Sequence, residues 1–220
     1  MRREAIQLSD EIESAFTENG NVVCGMDEVG RGAWAGPLVL AAVIPGFGTI
    51  PGVRDSKKIA QKKRESLSDE IYSWAKGIGI GVVSNNEIDE IGMARAITIG
   101  ANRALDELEK NSTAPDVVLL DGHYDFIKGN CYKVQTIVKG DNVSHAIAAA
   151  SIVAKVYRDN FMSSEEVGAA YPDFCFEKNK GYPAPVHKDA LAKLGPTSLH
   201  RVSWDIFGGT FQNDADGTLM

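Results

Sequence analysis

Two apolar stretches rich in β-branched residues, near the amino terminus, predict strands joined as a hairpin. The first is NVVCGMD, residues 21–27, and the second is PLVLAAVIPG, residues 37–46. Such runs are typical of strands that are buried on at least one face. The glycine-rich stretch between them, which begins at Gly30, predicts a turn.

Helical and extended patterns then alternate along the chain. Residues 61–77 have helical periodicity and end in Gly77, a candidate C-cap, and residues 78–84 predict a third strand. Residues 92–110 predict a long amphipathic helix. Its apolar stripe, which we expect to lie in the core, consists of Met93, Ile97, Ala101, Leu105 and Leu108.

The second half of the chain opens with two strands that each end in an acid. Residues 115–122 predict a buried strand with Asp121 at its carboxyl end, and residues 131–141 predict a strand that ends in Asp141. A helix over residues 142–161 follows, rich in small alanines that allow close packing on a sheet. Its candidate N-cap residues are Asn142 and Ser144.

The order β-β-α-β-α-β-β-α predicts an α/β fold, a mixed five-stranded sheet flanked by helices. If the first and fourth strands are neighbours, Asp27 and Asp121 meet at the sheet edge where such folds bind ligands. From Tyr171 onwards we expect a helix-poor, loop-rich segment, because its prolines interrupt regular structure. They are Pro172, Pro183, Pro185 and Pro196.

Composition and charge narrow the possible functions. The 220 residues are 44% hydrophobic, enough for one globular domain, and the net charge of -7 counts against a general nucleic-acid binder. The charge is uneven: residues 1–20 carry -3, whereas residues 54–64 carry +5. The basic stretch is either a solvated face or a contact for an anionic partner.

The cysteines and the amino terminus suggest an intracellular protein. The odd number of cysteines without a C-x-x-C pair fits a reducing compartment, where we expect them to be small buried hydrophobes. The charged amino terminus and the lack of an 18-residue apolar run predict neither a signal peptide nor a membrane span, so we expect a cytoplasmic protein. Four histidines without zinc spacing are expected at the surface or as caps: His123, His145, His187 and His200.

The stretch GRGAWA formally satisfies a dinucleotide-binding fingerprint, but its context does not. The fingerprint requires a helix immediately after the glycines, whereas Pro37 and an apolar strand follow here. Asp27 and Glu28 would also repel a pyrophosphate. We therefore disfavour this interpretation.

The acids themselves suggest metal chemistry. Successive strand residues point to opposite faces, so Asp27 and Glu28 enter one site only if the strand ends or bulges there. If these two acids converge with Asp121 and Asp141, cations would be needed to neutralise the four negative charges. Hard oxygen ligands favour Mg²⁺ or Mn²⁺. Two such ions can grip a phosphodiester. Spacing alone leaves open that these acids are merely solvated.

The motifs in their order resemble those of the ribonuclease HII family over nearly the whole chain. The motifs are DEVGRG, RDSKK, LLDG, KGD, IAAASIVAKVYRD and NKGYPAPVH. The resemblance implies a ribonuclease H-like fold and metal-dependent endonucleolytic cleavage of the RNA strand of RNA/DNA hybrids. It also implies incision 5′ to a single ribonucleotide in duplex DNA, leaving 3′-hydroxyl and 5′-phosphate ends.

The resemblance also assigns residues to roles. The metal-binding, catalytic carboxylates correspond to Asp27, Glu28, Asp121 and Asp141. The loop that recognises the 2′-hydroxyl at the DNA/RNA junction corresponds to Gly30, Arg31 and Gly32, and Tyr182 to a tyrosine that stacks on the next sugar and favours deoxyribose. The implied phosphate contacts are Lys57, Lys58, Ser151 and Lys155. Two divalent ions, Mg²⁺ or Mn²⁺, are the implied cofactors.

The chain departs from the family pattern near two of these sites. Trp34 flanks the glycine loop and Pro183 follows Tyr182, so both bear on substrate preference. The other departures are Ala33, Cys175 and Asn179. Asp55 is expected to order the basic loop, Asp159 to pair with Arg158 or a neighbour, and Tyr171 and Trp204 to pack in the core.

The expected organisation is an acidic segment (1–20), a catalytic core (21–168) and a small carboxyl-terminal extension (169–220) that contributes to substrate binding. We expect a monomer that acts on hybrids and ribonucleotide-containing DNA in replication and repair, with recruitment by a replication protein left open. Two alternatives remain at this stage: a non-catalytic nucleic-acid-binding protein and a DNA-junction nuclease.

Overall fold

The computed structural model describes residues 8–127 and 131–204 and is built around one five-stranded sheet. The strands are β1 (Val23–Val29), β2 (Leu38–Ile44), β3 (Gly77–Val83), β4 (Val117–Asp121) and β5 (Lys133–Ile137). Their order across the sheet is β3-β2-β1-β4-β5. β1, β2 and β3 pair antiparallel, whereas β4 lies parallel to both β1 and β5. The predicted mixed sheet and hairpin are confirmed.

Helices cover both faces of the sheet. In chain order they are α1 (Glu11–Thr17), α2 (Gln61–Trp74), α3 (Asn85–Ile91), α4 (Met93–Asn111), α5 (His145–Met162), α6 (Glu165–Ala170), α7 (Phe176–Asn179) and α8 (Pro185–Leu194). Single 3₁₀ turns span Ser56–Lys58, Gly140–Asn142 and Pro172–Phe174. α4 packs on one face, and α5 with α2 packs on the other.

The central strand β2 shows how the sequence pattern produces these layers. All seven of its residues are buried. Leu38 and Leu40 join the cluster that contains the α4 stripe, whereas Val39 and Ala41 join the cluster that contains the α5 alanines. A strand that is covered on both faces has a continuous run of apolar residues in its sequence. Burial of each leucine or valine side chain contributes about 1.5–3 kcal/mol to the free energy of folding.

Helix α5 lies unusually close to β1. A Cβ atom at Gly25 would lie 2.3 Å from the backbone carbon of Ala146, so only glycine fits there. Gly25 therefore faces α5, and Met26, which belongs to the core cluster on the α4 side, faces the other way. Because side chains alternate along a strand, Asp27 lies on the α5 face.

We expect Gly81→Ala to destabilise the protein, because β3 touches the backbone of α4 there. The new Cβ would lie 1.8 Å from the Gly100 carbonyl oxygen and 2.8 Å from the Ala104 nitrogen. Overpacking of this kind costs about 1–3 kcal/mol or more. Urea denaturation measures the loss. The control, Gly168→Ala in α6, meets nothing within 4 Å and should be neutral or stabilising by about 0.5–1 kcal/mol. An unchanged Gly81→Ala midpoint would contradict this packing.

Several predicted boundaries need correction. β5 ends at Ile137, so Asp141 lies in the following 3₁₀ turn and not at a strand end. α2 ends at Trp74, and Gly77 opens β3 instead of capping the helix. The N-cap of α5 is Ser144, whose side chain accepts a hydrogen bond from the backbone N–H of Ile147.

The segment after Tyr171 is more helical than predicted. It contains α7 and the ten-residue α8, and Pro185 occupies the first turn of α8. Proline suits that position because its fixed φ is helical and its missing N–H would have no partner there. α3 was also missed, although its Ser84 and Glu87 form a capping box that the sequence displays. Residues 205–220, including the tail TFQNDADGTLM, lie outside the described residues.

Candidate active site

Two of the predicted acids lie on adjacent parallel strands. Met26 of β1 pairs with Leu120 of β4, so the next residues, Asp27 and Asp121, follow at the same level of the sheet. β4 ends at Asp121, whose Oδ1 accepts a hydrogen bond of 2.7 Å from the backbone N–H of Gly140. This bond ties the turn that carries Asp141 to the end of β4.

Glu28 leaves β1 on the face opposite to Asp27. β1 pairs regularly with β2 from Gly25 through Val29, where the strand ends, so there is no bulge between the two acids. Glu28 nevertheless interacts with the charges of both Asp121 and Arg31, and its carboxylate lies 3.8 Å from the Arg31 guanidinium. Asp27 and Glu28 therefore approach the carboxyl end of the sheet from opposite faces of the sheet.

Burial and mutual repulsion raise the pKa values of three of these acids. The pKa of Asp27 is raised well above its ordinary 3.8 by burial and by the charges of Glu28 and Asp121. Burial and Asp121 also raise the pKa of Glu28, and burial with Asp55 and Asp121 raises that of Asp141. The four predicted acids are thus electrostatically coupled, which favours a cation between them.

Lys57 supplies positive charge to the same place. Burial alone would lower the pKa of Lys57, but Asp27, Asp55, Asp121 and Asp141 together raise it. The sequence identified Asp55 only as a residue that orders the loop. It does so, because Asp55 Oδ1 accepts a hydrogen bond from the Lys57 backbone N–H, and it also adds a fifth carboxylate to the cluster.

The carboxylates are oriented by neutral partners, which suits a metal site of hard oxygen donors. Asp27 accepts from the backbone N–H of Glu28 at 2.7 Å, and Asp141 accepts from the Asn142 amide at 2.6 Å. Within residues 8–127 and 131–204, however, no three Asp, Glu, His or Cys side chains are arranged so that they could hold a metal ion as they stand. Carboxylate oxygens are the type of donor that Mg²⁺ or Mn²⁺ prefers.

Two buried arginines fix the glycine loop beside the acids. Arg158 donates hydrogen bonds to the carbonyl oxygens of Pro37, Lys180 and Ala35 at 2.7–2.9 Å. Arg201 donates to the carbonyls of Gly36 and Arg31 at 3.0–3.2 Å. The sequence analysis considered Arg158 only as a possible partner of Asp159 and did not identify Arg201, because their carbonyl partners lie in remote segments.

The two glycines of the loop have different environments. Gly30 has a φ of 93°, and a Cβ there would lie 2.4 Å from Arg158 Nε, so glycine is required by the protein itself. A Cβ at Gly32 would meet nothing within 4 Å, and Gly32 is exposed. The exposed side chain of Arg31 lies between them. The loop is thus anchored at Gly30 and open at Gly32.

Tyr182 lies next to two cations of α5. Lys155 Nζ and Arg158 Cζ lie 5.5 Å and 5.3 Å from the centre of its ring. Lys155 also pairs with Asp159 at 2.7 Å, so its ammonium is already neutralised. The Ser151 hydroxyl is buried, donates to the Ala148 carbonyl and accepts from the Ser56 backbone N–H. In this structure Ser151 therefore holds the turn that carries Lys57 and Lys58.

The burial and the ion pairs of the other predicted residues correct some of the expectations and confirm others. Three histidines are buried, namely His145, His187 and His200, whereas only His123 is exposed as expected. Asp159 pairs with Arg64 and Lys155, not with Arg158. Cys131 is exposed, contrary to prediction, and Cys24 is buried. Tyr171 and Trp204 pack against the core as predicted.

Comparison with known proteins identifies the family. The family model described as Ribonuclease HII matches residues 24–206. The chain belongs to the ribonuclease HII family. It is 47% identical over 189 residues to ribonuclease HII of Streptomyces avermitilis, covering 86% of this chain and 78% of the relative. It is 43% identical over 183 residues to ribonuclease HII of Caulobacter vibrioides, covering 83% of each.

Solved structures of ribonuclease HII proteins share the fold. Ribonuclease H2 of Pyrococcus horikoshii is similar with a TM-score of 0.67 and 26% identity, over 83% of this chain and 93% of that one. Ribonuclease HII of Archaeoglobus fulgidus, solved in complex with PCNA, gives the same TM-score and identity over 83% and 95%. Bst ribonuclease HIII, solved with Mn²⁺, is 21% identical with a TM-score of 0.62, over 79% of this chain and 61% of that one, and shows the fold alone.

The predicted ribonuclease H-like fold and ribonuclease H activity are thus confirmed. This ribonuclease HII is a hydrolase, an endonuclease that acts on RNA/DNA substrates. Among the described residues, none of the helices is both long and apolar enough to cross a membrane.

Proposed function

We propose that this ribonuclease HII incises duplex DNA on the 5′ side of a single embedded ribonucleotide, in addition to cleaving the RNA strand of long hybrids. The observation that carries the proposal is the group of mutually repelling acids beside a glycine loop that is anchored at Gly30 and open at Gly32. Acids of this kind favour cations, and an open glycine permits close approach of a nucleic-acid backbone.

Asp27, Glu28, Asp121 and Asp141 would hold two divalent ions, Mg²⁺ or Mn²⁺. When bound, such ions activate water and stabilise the leaving oxygen, which yields 3′-hydroxyl and 5′-phosphate ends. The backbone N–H groups of Glu28 and Gly140 orient Asp27 and Asp121 for this task. Burial and repulsion between the acids raise the pKa values of Asp27 and Asp141. A bound metal cation would relieve that repulsion and would compete with protons for the carboxylates.

Sugar identity would be read at two consecutive nucleotides on the 3′ side of the cut bond. Gly30, Arg31 and Gly32 form the surface for the 2′-hydroxyl, the group that distinguishes RNA from DNA. Tyr182 would stack on the sugar of the next nucleotide and favour deoxyribose there. The cationic groups of Lys155 and Arg158 lie beside the Tyr182 ring and would hold the ring in that place. Because Tyr182 belongs to residues 169–220, the carboxyl-terminal extension would contribute to substrate binding.

The implied phosphate contacts divide into two groups. Lys57 and Lys58 are exposed on the 3₁₀ turn beside the acids, where they can reach a phosphate. The Lys58 ammonium also contacts Asn142 and lies 3.5 Å from the Asp55 carboxylate. Ser151 and Lys155 are occupied by protein partners, so we propose that they act indirectly, through the turn and through Tyr182. The net charge of -7 makes this local positive charge necessary for binding a polyanion.

We further propose that the protein acts as a cytoplasmic monomer in removing ribonucleotides and RNA primers from DNA. A DNA-junction nuclease remains the alternative within this fold. It is disfavoured because the glycine loop and Tyr182 would read sugars, a function that a DNA-specific nuclease does not need.

The deciding assay uses a DNA duplex with one ribonucleotide, an all-DNA duplex of the same sequence, and Mg²⁺, Mn²⁺ or EDTA. We expect incision 5′ to the ribonucleotide with either metal and none with EDTA. End-labelling should detect a 3′-hydroxyl and a 5′-phosphate. Equal cutting of the all-DNA duplex would support the junction nuclease and reject the proposed specificity, and full activity in EDTA would reject the metal site.

A further inference from the structure

His187 and His200 form a buried pair beneath the proposed substrate surface. Their side chains are 0% and 1% exposed, and their Nε2 atoms lie 2.9 Å apart. Phe174 and Phe176 pack against both imidazole rings. A polar pair in such apolar surroundings is costly unless each nitrogen has a partner.

The hydrogen bonds determine where the protons lie. The backbone N–H of Thr197 can only donate, and it lies 2.9 Å from His200 Nδ1, which must therefore accept. The proton of neutral His200 is then on Nε2, which donates to His187 Nε2. His187 consequently carries its proton on Nδ1 and donates to the backbone carbonyl of Tyr182 at 2.9 Å. Burial lowers the pKa of both histidines, which keeps them neutral.

The same pair also touches the glycine-loop side of the surface. The Trp34 ring lies 5.8 Å from the His187 ring, and the Trp34 backbone N–H donates to the carbonyl of Gly181, next to Tyr182. Ala35 forms an isolated antiparallel bridge with His200. The pair thus contacts the Tyr182 backbone and the residues that directly follow the glycine loop.

We infer that His187 and His200 are positioning residues that set the place of Tyr182 relative to the glycine loop, and so set the preference for deoxyribose after the ribonucleotide. This inference rests on the proposed stacking role of Tyr182. The chain of bonds has one direction, from Thr197 through His200 and His187 to the Tyr182 carbonyl. The Tyr182 carbonyl also accepts from the Ala184 backbone N–H at 2.8 Å, so the His187 bond is the link that ties Tyr182 to the histidine pair. Loss of that link should displace Tyr182 from its place, whereas loss of an earlier bond leaves the link intact.

Two matched variants of His187 separate these cases, because asparagine can replace the Nδ1 donor and glutamine can replace the Nε2 acceptor. His187→Asn keeps the bond to Tyr182 and loses the bond to His200, and His187→Gln does the reverse. Each loses one buried bond, so we expect similar urea midpoints. The readout is the ratio of kcat/KM for ribonucleotide–deoxyribonucleotide over ribonucleotide–ribonucleotide junctions.

We expect this ratio to fall about 10-fold in His187→Gln and less than about 3-fold in His187→Asn, because small displacements of a positioning group are costly. In a Tyr182→Ala background, His187→Gln should cause no further fall. Equal falls in the two variants, or a fall that persists without the tyrosine ring, would overturn the inference and leave the pair with a structural role.

A substrate-free measurement separates this inference from the proposed function. In ¹⁵N-labelled protein at neutral pH, NMR should find His200 protonated on Nε2 and His187 protonated on Nδ1. The opposite tautomers or a charged ring would overturn the network itself. If the tautomers are as expected but the wild-type protein does not distinguish the two junctions, the proposed role of Tyr182 fails.

Discussion

The Asp27→Asn variant is expected to lose cleavage by about 1,000-fold or more and yet to melt at a higher temperature than the wild-type protein in EDTA. The amide removes one ligand charge from the proposed metal site, and metal stabilisation of a transition state is worth several kcal/mol. It also removes a buried carboxylate that Glu28 and Asp121 repel. Each kcal/mol of repulsion removed should raise Tm by roughly 2–4 °C.

The stability difference has a definite pH dependence. The folded-state pKa of Asp27 lies above its ordinary value of 3.8, so the ionised group destabilises the fold above the raised pKa. As the pH falls through that raised pKa towards 3.8, the folded protein takes up a proton and the penalty disappears. The advantage of Asp27→Asn should therefore vanish in acid and grow as the pH rises from 3.8 through the raised pKa.

Thermal denaturation in EDTA from pH 4 to pH 8 measures this effect, with single-ribonucleotide cleavage measured in parallel. The matched control is Asp69→Asn on α2, an exposed acid that should change neither property. A variant that is inactive but less stable than wild type at neutral pH would show that Asp27 is not under repulsive strain. Retained activity would remove Asp27 from the proposed metal ligands.

The Arg158→Met variant should be strongly destabilised, by about 3–5 kcal/mol. Methionine is unbranched and can replace the aliphatic part of the arginine side chain, but it has no guanidinium and leaves the carbonyl oxygens of Ala35, Pro37 and Lys180 without this donor. Each buried group that loses its partner costs about 1–3 kcal/mol. The wild-type arrangement holds the glycine loop against the segment that carries Tyr182, so cleavage should fall as well.

Urea denaturation measures the loss, and Arg95→Met, on the exposed side of α4, is the matched control with little expected change. Arg158→Lys should not restore stability, because one ammonium cannot reproduce a planar fork of donors. A change of less than about 1 kcal/mol in Arg158→Met, or full rescue by lysine, would contradict the role assigned to the guanidinium.

Parts of the site were predictable because they depend on local pattern. The run PDVVLLDG places Asp121 at the carboxyl end of a buried strand, and β4 ends at that residue. Asp141 was placed at a strand end and lies instead in a turn, where Gly140 N–H binds Asp121 across 19 positions of sequence. Such a bond connects elements that no local pattern relates.

The buried polar residues were the least predictable. A histidine or arginine in a sequence carries no sign of whether carbonyl oxygens will surround it, and statistics favour the surface. His187 and Arg158 are buried because α5, the glycine loop and the chain after Tyr171 converge on them and provide acceptors for their protons. The sequence identifies only residues that belong to a recognisable motif or to a regular hydrophobic pattern.

The amino-acid pattern was sufficient to predict the five strands, the three long helices α2, α4 and α5, and the placing of acids next to a glycine turn. These features follow from hydrophobic period and turn chemistry, which operate over a few residues. Three-dimensional packing was needed to show that Lys57 lies among the acids, and that buried arginines and histidines support the loop and Tyr182. Charge coupling and buried hydrogen bonds depend on distances between remote segments, and folding alone sets those distances.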